Sequence, residues 1–423
     1  MKNNRMSWLV GLLSVLLLAA VVVLGAVFGG ETLNSAPLAL NTAGESEVSV
    51  SADPALIKSA TLTAAGEETE AEEPAQSLST DYAAIYALYR PDQVVMTVDG
   101  TPVPWQDYFY SYYSQAYAAE QQFQAYQQYG LALGWNSQAD EEGHSYAELL
   151  GEMTEKNLRQ VLAVESLAEE KALQLTEEEE QELQDVHQEN IRYSFGEEGT
   201  EEQLFEELWN ERYLTPEYCW RLMRVGYLAE GTLRETYGVE GEKLSEEEIL
   251  AWMEEQGIVS ANHILIATVD LQTRQPLDED TLKEKTELAQ QLARELQAIE
   301  DPAELEKRFT ELKEQYCADG NSYVFGEGVM VPEFYEGTLA LEVGQVSDPV
   351  QSSYGYHIIL RRPLHADDTI FTGSGMVNAA SLMAQQSFSK LLQDRLDAQT
   401  VEYEEGFQSP NILDYRVSNL EDK

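Results

Sequence analysis

Residues 260–363 constrain this chain more than any other stretch, because two β-type runs there each carry one histidine among aliphatic residues. The first is Ser260-Ala-Asn-His263-Ile-Leu-Ile and the second Ser353-Tyr-Gly355-Tyr-His357-Ile-Ile-Leu-Arg. β-branched and aliphatic residues dominate 263–269 and 356–360, and a polar break with Gly355 precedes the second run, which reads both as strands. One histidine on an apolar strand is usually a core residue that has found its hydrogen bonds. Two of them, with an acid and a Met-x-x-x-Phe pair between, change that reading. The intervening blocks are Tyr316-Cys-Ala-Asp319 and Phe325-Gly-Glu-Gly-Val-Met330-Val-Pro-Glu-Phe334.

The remaining pattern in this stretch is helical. Residues 280–299 are amphipathic, with Leu288, Leu292 and Leu296 on one face. Asp301-Pro302-Ala-Glu304 caps a second helix running to about 315, and 332–341 makes a short third one. Residues 346–350 and 355–361 are the closing strands. A small sheet with helices packed over it is the expected result, of the α+β class.

These residues resemble the catalytic domain of the parvulin family of peptidyl-prolyl cis–trans isomerases, over 256–364. The resemblance implies that His263 and His357 face one another across adjacent strands, linked by hydrogen bonds to Asp319. Ser352 matches the hydroxyl residue that commonly joins that network, and Met330 and Phe334, with Phe325 beside them, would line a pocket for the proline ring. Such an enzyme makes and breaks no bonds. Amide resonance sets a barrier of ~18–20 kcal/mol, and an apolar pocket that binds the less dipolar twisted amide better than either planar form lowers it. The histidines then shape and tune the pocket, without proton transfer to substrate. Asn321 and Ser322 stand where the family often has Asp and a pocket-lining Leu, and the loop between Asp319 and Phe325 is short, which implies a shallower pocket. The loop at 269–280 has only Arg274 among acids, so no phosphate specificity is expected. No motif suggests a metal, nucleotide or prosthetic group.

Outside this segment the chain is organised for export. Residues 1–5 include Lys2 and Arg5, and 8–28 then run without a charge. About twenty apolar residues at ~1.5 Å rise cross a ~30 Å hydrocarbon core. The run exceeds the ~7–15 apolar residues of a cleavable signal, which favours a retained single-pass anchor, although cleavage stays open. The preceding positive charge predicts a cytoplasmic N-terminus and extracytoplasmic working domains. No cysteine follows the run, which argues against lipoprotein processing. With residues 1–30 as stub and anchor, 31–80 read as a flexible acidic linker rich in Ala, Thr, Ser, Glu and Gly.

Residues 81–255 are expected to be mostly α-helical. A strand at 94–98, an Asp99-Gly100 turn and a helix at 105–129 crowded with Tyr, Phe and Gln open the region. That opening is similar to the N-terminal segment of extracytoplasmic foldases of the PrsA and SurA type. The aromatics are candidates for a client surface, against simple packing on neighbouring helices. Thr176-Glu-Glu-Glu179, Thr200-Glu-Glu-Gln203 and Ser245-Glu-Glu-Glu248 are capping boxes. Residues 365–423 return to helix, with Leu382, Phe388, Leu391, Leu392 and Leu396 at packing spacing. By the resemblance they fold back onto 81–255, with the isomerase-like domain inserted between.

Charge excludes one class of partner. With 26 Lys+Arg against 76 Asp+Glu, the net charge of −50 repels phosphate backbones. The two cysteines, Cys219 and Cys317, show neither metal-ligand nor redox spacing; a disulfide between them stays open, and two free, partly buried thiols are favoured. His144, His187 and His365 read as surface positions. The expected function is a membrane-anchored foldase isomerising Xaa-Pro bonds in unfolded exported proteins. The competing expectation is a chaperone whose parvulin-like domain has lost activity and only binds clients.

Overall fold

The computed structural model describes residues 78–418, apart from 129, 141 and 374. The expected anchor at 8–28, and the linker up to residue 77, lie outside the described residues. Among the described residues no helix is long and apolar enough to cross a membrane. The chain divides into two compact units.

One unit contains 78–159, 202–218 and 400–418 of the described residues. Strand β1 (Ser79–Thr80) is followed by helix α1 (Tyr82–Tyr86), β2 (Val94–Val98) and β3 (Thr101–Pro104). Asp99 and Gly100 both adopt positive φ, the conformation a two-residue hairpin turn needs to match strand twist. Helix α2 (Trp105–Gln128) follows, then α3 (Tyr146–Glu170), whose first half belongs here. Trp105, Tyr108, Phe109 and Tyr112 of α2 are fully buried. Trp105 donates its indole N–H to the Tyr86 carbonyl at 2.8 Å, and Tyr112 donates its hydroxyl to that of Pro410 at 3.2 Å. Packing therefore claims these α2 aromatics: all four bury an apolar body, and the polar tips of Trp105 and Tyr112 each find a carbonyl.

The other unit contains 160–201 and 219–399. Helices α4 (Glu177–Phe195), α5 (Glu201–Arg212, nearly all in the first unit), α6 (Pro216–Tyr237) and α7 (Glu246–Glu255) precede the main sheet. The capping boxes at Thr176 and Ser245 form with both reciprocal hydrogen bonds. His187 departs from its expected surface position. It is 2% exposed, its ring lies 4.4 Å from that of Trp220, and Nε2 is 3.3 Å from Glu201. Polar neighbours in sequence misplace it because α4 turns its fourth-residue positions, Leu183, His187 and Ile191, to the interior.

The sheet and the helices that pack on it follow as β4 (Val259–Ala267), α8 (Glu279–Gln297), α9 (Pro302–Tyr316), β5 (Ser322–Phe325), α10 (Pro332–Leu339), β6 (Val350–Gln351), β7 (Gly355–Arg362), β8 (Thr369–Phe371) and β9 (Met376–Asn378). Its six strands run in the order β6-β7-β4-β5-β8-β9. Alternation sorts the two faces. Ile264, Ile266, Ile358 and Leu360 face α8 and α9, packing on Leu292, Leu296, Phe309 and Leu312. Val259, Ala261, Phe325 and Ile359 face the other way, under Phe334 and Tyr335 of α10. The strand expected at 346–350 begins only at Val350. Ser347 exchanges hydrogen bonds with the Ile359 backbone instead, Val346 forms a lone bridge to Leu360, and Pro349 has no N–H to continue a ladder. Helix α11 (Ala379–Ala398) packs Phe388, Leu392 and Leu396 against Val161, Val164 and Leu167 of α3 and Val225 and Ala229 of α6.

Candidate functional site

The site lies on the α10 face of the sheet, at the two central strands. His263 of β4 pairs in register with Ile359 of β7, and His357 with Leu265. The histidines are thus diagonal neighbours on one face, a separation that long or ring-bearing side chains can span. Their rings stack at 5.5 Å and the two Nδ1 atoms lie 3.2 Å apart. Both residues are buried.

The loops at either end hold the network's other members. Gly355 opens β7 with φ +145, and a Cβ there would stand 2.3 Å from the Ile266 carbonyl oxygen; only glycine permits that approach. The tight turn it closes brings Ser352 Oγ to 2.8 Å from His357 Nε2, and the same oxygen accepts the Tyr354 N–H at 3.2 Å. At the other end α9 stops at Tyr316. Beyond it, Ala318 donates to the Leu265 carbonyl, while Cys317 Sγ accepts the Leu265 N–H at 3.1 Å and donates to the Asp319 carbonyl at 2.6 Å. Asp319 is thereby set beside His263, with Oδ2 3.4 Å from Nε2.

Proton positions follow from the acceptors. Asp319 can only accept, so an Nε2–H tautomer of His263 suits the 3.4 Å contact, although its geometry makes no hydrogen bond, and Nδ1 is left as an acceptor. His357 then donates from Nδ1 to His263, and its Nε2 accepts the Ser352 hydroxyl. Every donor in the row points toward the carboxylate. Burial, then the neighbouring His263, pushes the His357 pKa down to about 4, which keeps that ring neutral. The Asp319 carboxyl is held well below the usual carboxylate range, chiefly by His263 and further by the Asn321 N–H and the Tyr323 hydroxyl. Burial raises the Cys317 thiol, so it stays protonated and acts as a structural clasp.

Phe334 joins the polar row to the apolar one. Its ring stacks 5.2 Å from Phe325 and lies 4.9 Å from His263 and 5.0 Å from His357. Phe334 is 2% exposed and Phe325 wholly buried, whereas Met330 is half-buried at the surface of the same cluster with Val329 and Val331. Of the three apolar residues singled out in sequence, Met330 is the one with surface to offer.

The structure revises the view of the 319–325 loop. Ser322 pairs with Asn262 and turns to the helix face, where its Oγ and the Lys313 ammonium both bond Asn262 Oδ1. Ser322 therefore takes no position on the pocket face. Tyr323 does, donating its hydroxyl to Asp319 Oδ2 at 3.0 Å with its ring 5.8 Å from His263. Strand alternation was the available signal, since Tyr323 stands two residues before Phe325 and shares its face. Arg274 stacks on Tyr354, 4.1 Å from its ring centre.

The segment carrying this geometry has relatives. Residues 263–362 match the Rotamase family, described as the PPIC-type PPIASE domain. The foldase protein PrsA of Halalkalibacterium halodurans is 34% identical over 138 residues, 32% of this chain and 36% of that one. Foldase protein PrsA 4 of Bacillus cereus is 45% identical over 76 residues, 18% of this chain and 26% of that one. The chain thus spans about a third of the first relative's length and a quarter of the second's. A crystal structure of the peptidylprolyl isomerase PrsA from Bacillus anthracis aligns at 19% identity over 57% of this chain and 96% of that one, with a TM-score of 0.21.

Proposed function

We propose that the protein is an extracytoplasmic foldase whose parvulin-like domain catalyses Xaa-Pro isomerisation in exported proteins. The observation that carries this is the His263–His357 pair, buried under Phe334 and oriented by Asp319 and Ser352, in the segment that matches the PPIC-type domain. The proline ring lies against Met330 and the edge of Phe334, with Phe325 as the floor beneath. Excluding water there removes the dielectric that favours the planar, more dipolar amide. The twisted state is then bound better than either ground state, and the barrier falls. The histidines hold the shape of the floor and pass no proton.

The anchor at 8–28 would tether the protein to the membrane with its N-terminus in the cytoplasm, and the helical parts at 81–255 and 365–423 would hold unfolded clients near the site. A second reading, a binding-only module, is favoured by the near-complete burial of Phe325 and Phe334. Prolyl isomerisation by the purified protein on short Xaa-Pro peptides separates the two. Acceleration that Met330→Ala abolishes supports the enzyme. Peptide binding without any acceleration supports the module.

A further inference from the structure

We propose that the β8–β9 hairpin, which follows the 263–362 match, is a subsite for a large apolar side chain on the client, three or four residues from the proline. The inference rests on the reading of the site given above. Register places the hairpin on that site's face of the sheet. Phe325 pairs with Phe371, and Phe371 pairs with Met376. Side chains of paired residues share a face, so Phe371 and Met376 continue the row that begins with the histidines and passes through Tyr323 and Phe325. Ile370, the alternate residue, faces the opposite way and is buried with Ile249, Trp252 and Met253.

Contacts join the hairpin to the site directly. The Phe371 ring lies 5.7 Å from Tyr323, whose hydroxyl holds Asp319. Gly373 comes so close to the segment bearing Met330 that a Cβ there would stand 4.0 Å from Val329 Cγ1. Phe371 is half-buried, and Met376 is 54% exposed on the last strand of the sheet. An exposed methionine continuous with an apolar site suits an adaptable contact for varied side chains.

Spacing sets the position read. Strands are ~4.8 Å apart, so Met376 stands two to three spacings, ~10–14 Å, from the pocket over β5 and β4. An extended client advancing ~3.3 Å per residue covers that in three or four residues. The occupant is thus an extended segment of the same client whose proline is bound.

The test uses the purified full chain and fluorescent Ala-Pro peptides otherwise made of Gly and Ser, with one Leu moved from two to six positions on either side. Anisotropy reads Kd, and isomerisation reads kcat/KM. Wild-type protein should favour Leu three or four positions away, on one side, by about fivefold in Kd. Met376→Ser, at an exposed site, should cut that preference at least about threefold, and Phe371→Ala should do the same. A preference unchanged in both variants, or no positional preference in wild type, overturns the subsite. Failure to accelerate any peptide would sink the isomerase reading alone, because the positional Kd still decides the subsite. Failure to bind any peptide overturns both.

Discussion

His263 and His357 sit two residues out of register on antiparallel strands, and this offset lets their Nδ1 atoms meet at 3.2 Å. The diagonal turns two core-like histidines into one hydrogen-bonded pair, with Asp319 Oδ2 3.4 Å from the far nitrogen of His263.

The pH dependence of stability follows from that row. His357 is held neutral, with its pKa down to about 4 against ~6.5 in an unfolded chain. Its contribution is fully present above ~6.5 and is lost as pH falls toward 4, because the unfolded state takes up the proton first. The loss is about 3 kcal/mol by linkage. Asp319 is depressed, so its contribution is present above ~3.9 and is lost only as pH falls below that. Urea melts between pH 7 and 4 should show the first loss, and His357→Gln should flatten it.

On the proposed isomerase reading, Met330→Ala removes the half-buried side chain at the surface of the Phe325–Phe334 cluster and leaves the buried rings in place. We expect kcat/KM on Xaa-Pro peptides to fall at least about tenfold, since each methylene of an apolar pocket is worth roughly that much. Thermal stability should change little. Phe334→Ala should abolish activity and also cost about 3–5 kcal/mol, because it empties the space between Phe325 and the histidines.

Cys317 is predicted to matter through its hydrogen bonds. Cys317→Ala leaves the Leu265 N–H without its acceptor, a cost of about 1–3 kcal/mol, while Cys317→Ser supplies an oxygen in its place and should recover most of it. Equal destabilisation in the two variants, measured by urea unfolding, would show that sulfur packing is what counts.

Tyr323→Phe deletes the hydroxyl that bonds Asp319. Stability at pH 7 should drop by about 1 kcal/mol, a modest figure because the carboxylate is partly exposed. The acid-unfolding limb should move to higher pH as Asp319 loses a donor to its charged form. An unchanged limb would place the burden on His263 and the Asn321 N–H.

Gly355→Ala should destabilise by at least about 1 kcal/mol. The new Cβ meets backbone, the Ile266 carbonyl, at 2.3 Å and cannot displace it cheaply. Circular dichroism melts give the measurement.

Some of this protein was determined by local sequence alone. Runs of β-branched and aliphatic residues set β4 and β7, and Asp301-Pro302, Thr176 with Glu179 and Ser245 with Glu248 set helix starts, since a cap needs only its own few residues. The candidate site residues His263, Asp319, Met330, Phe334 and His357 were singled out through the resemblance of 256–364 to the parvulin family. Tertiary structure decided the rest. Register chose the diagonal meeting of the histidines and turned Tyr323, not Ser322, toward them. Helix packing buried His187 against Trp220 despite its polar neighbours, and strand pairing carried Phe371 and Met376 onto the site's face. Those outcomes depend on partners tens of residues away, so the physical reason lies in which surfaces must be covered together, which no local pattern encodes.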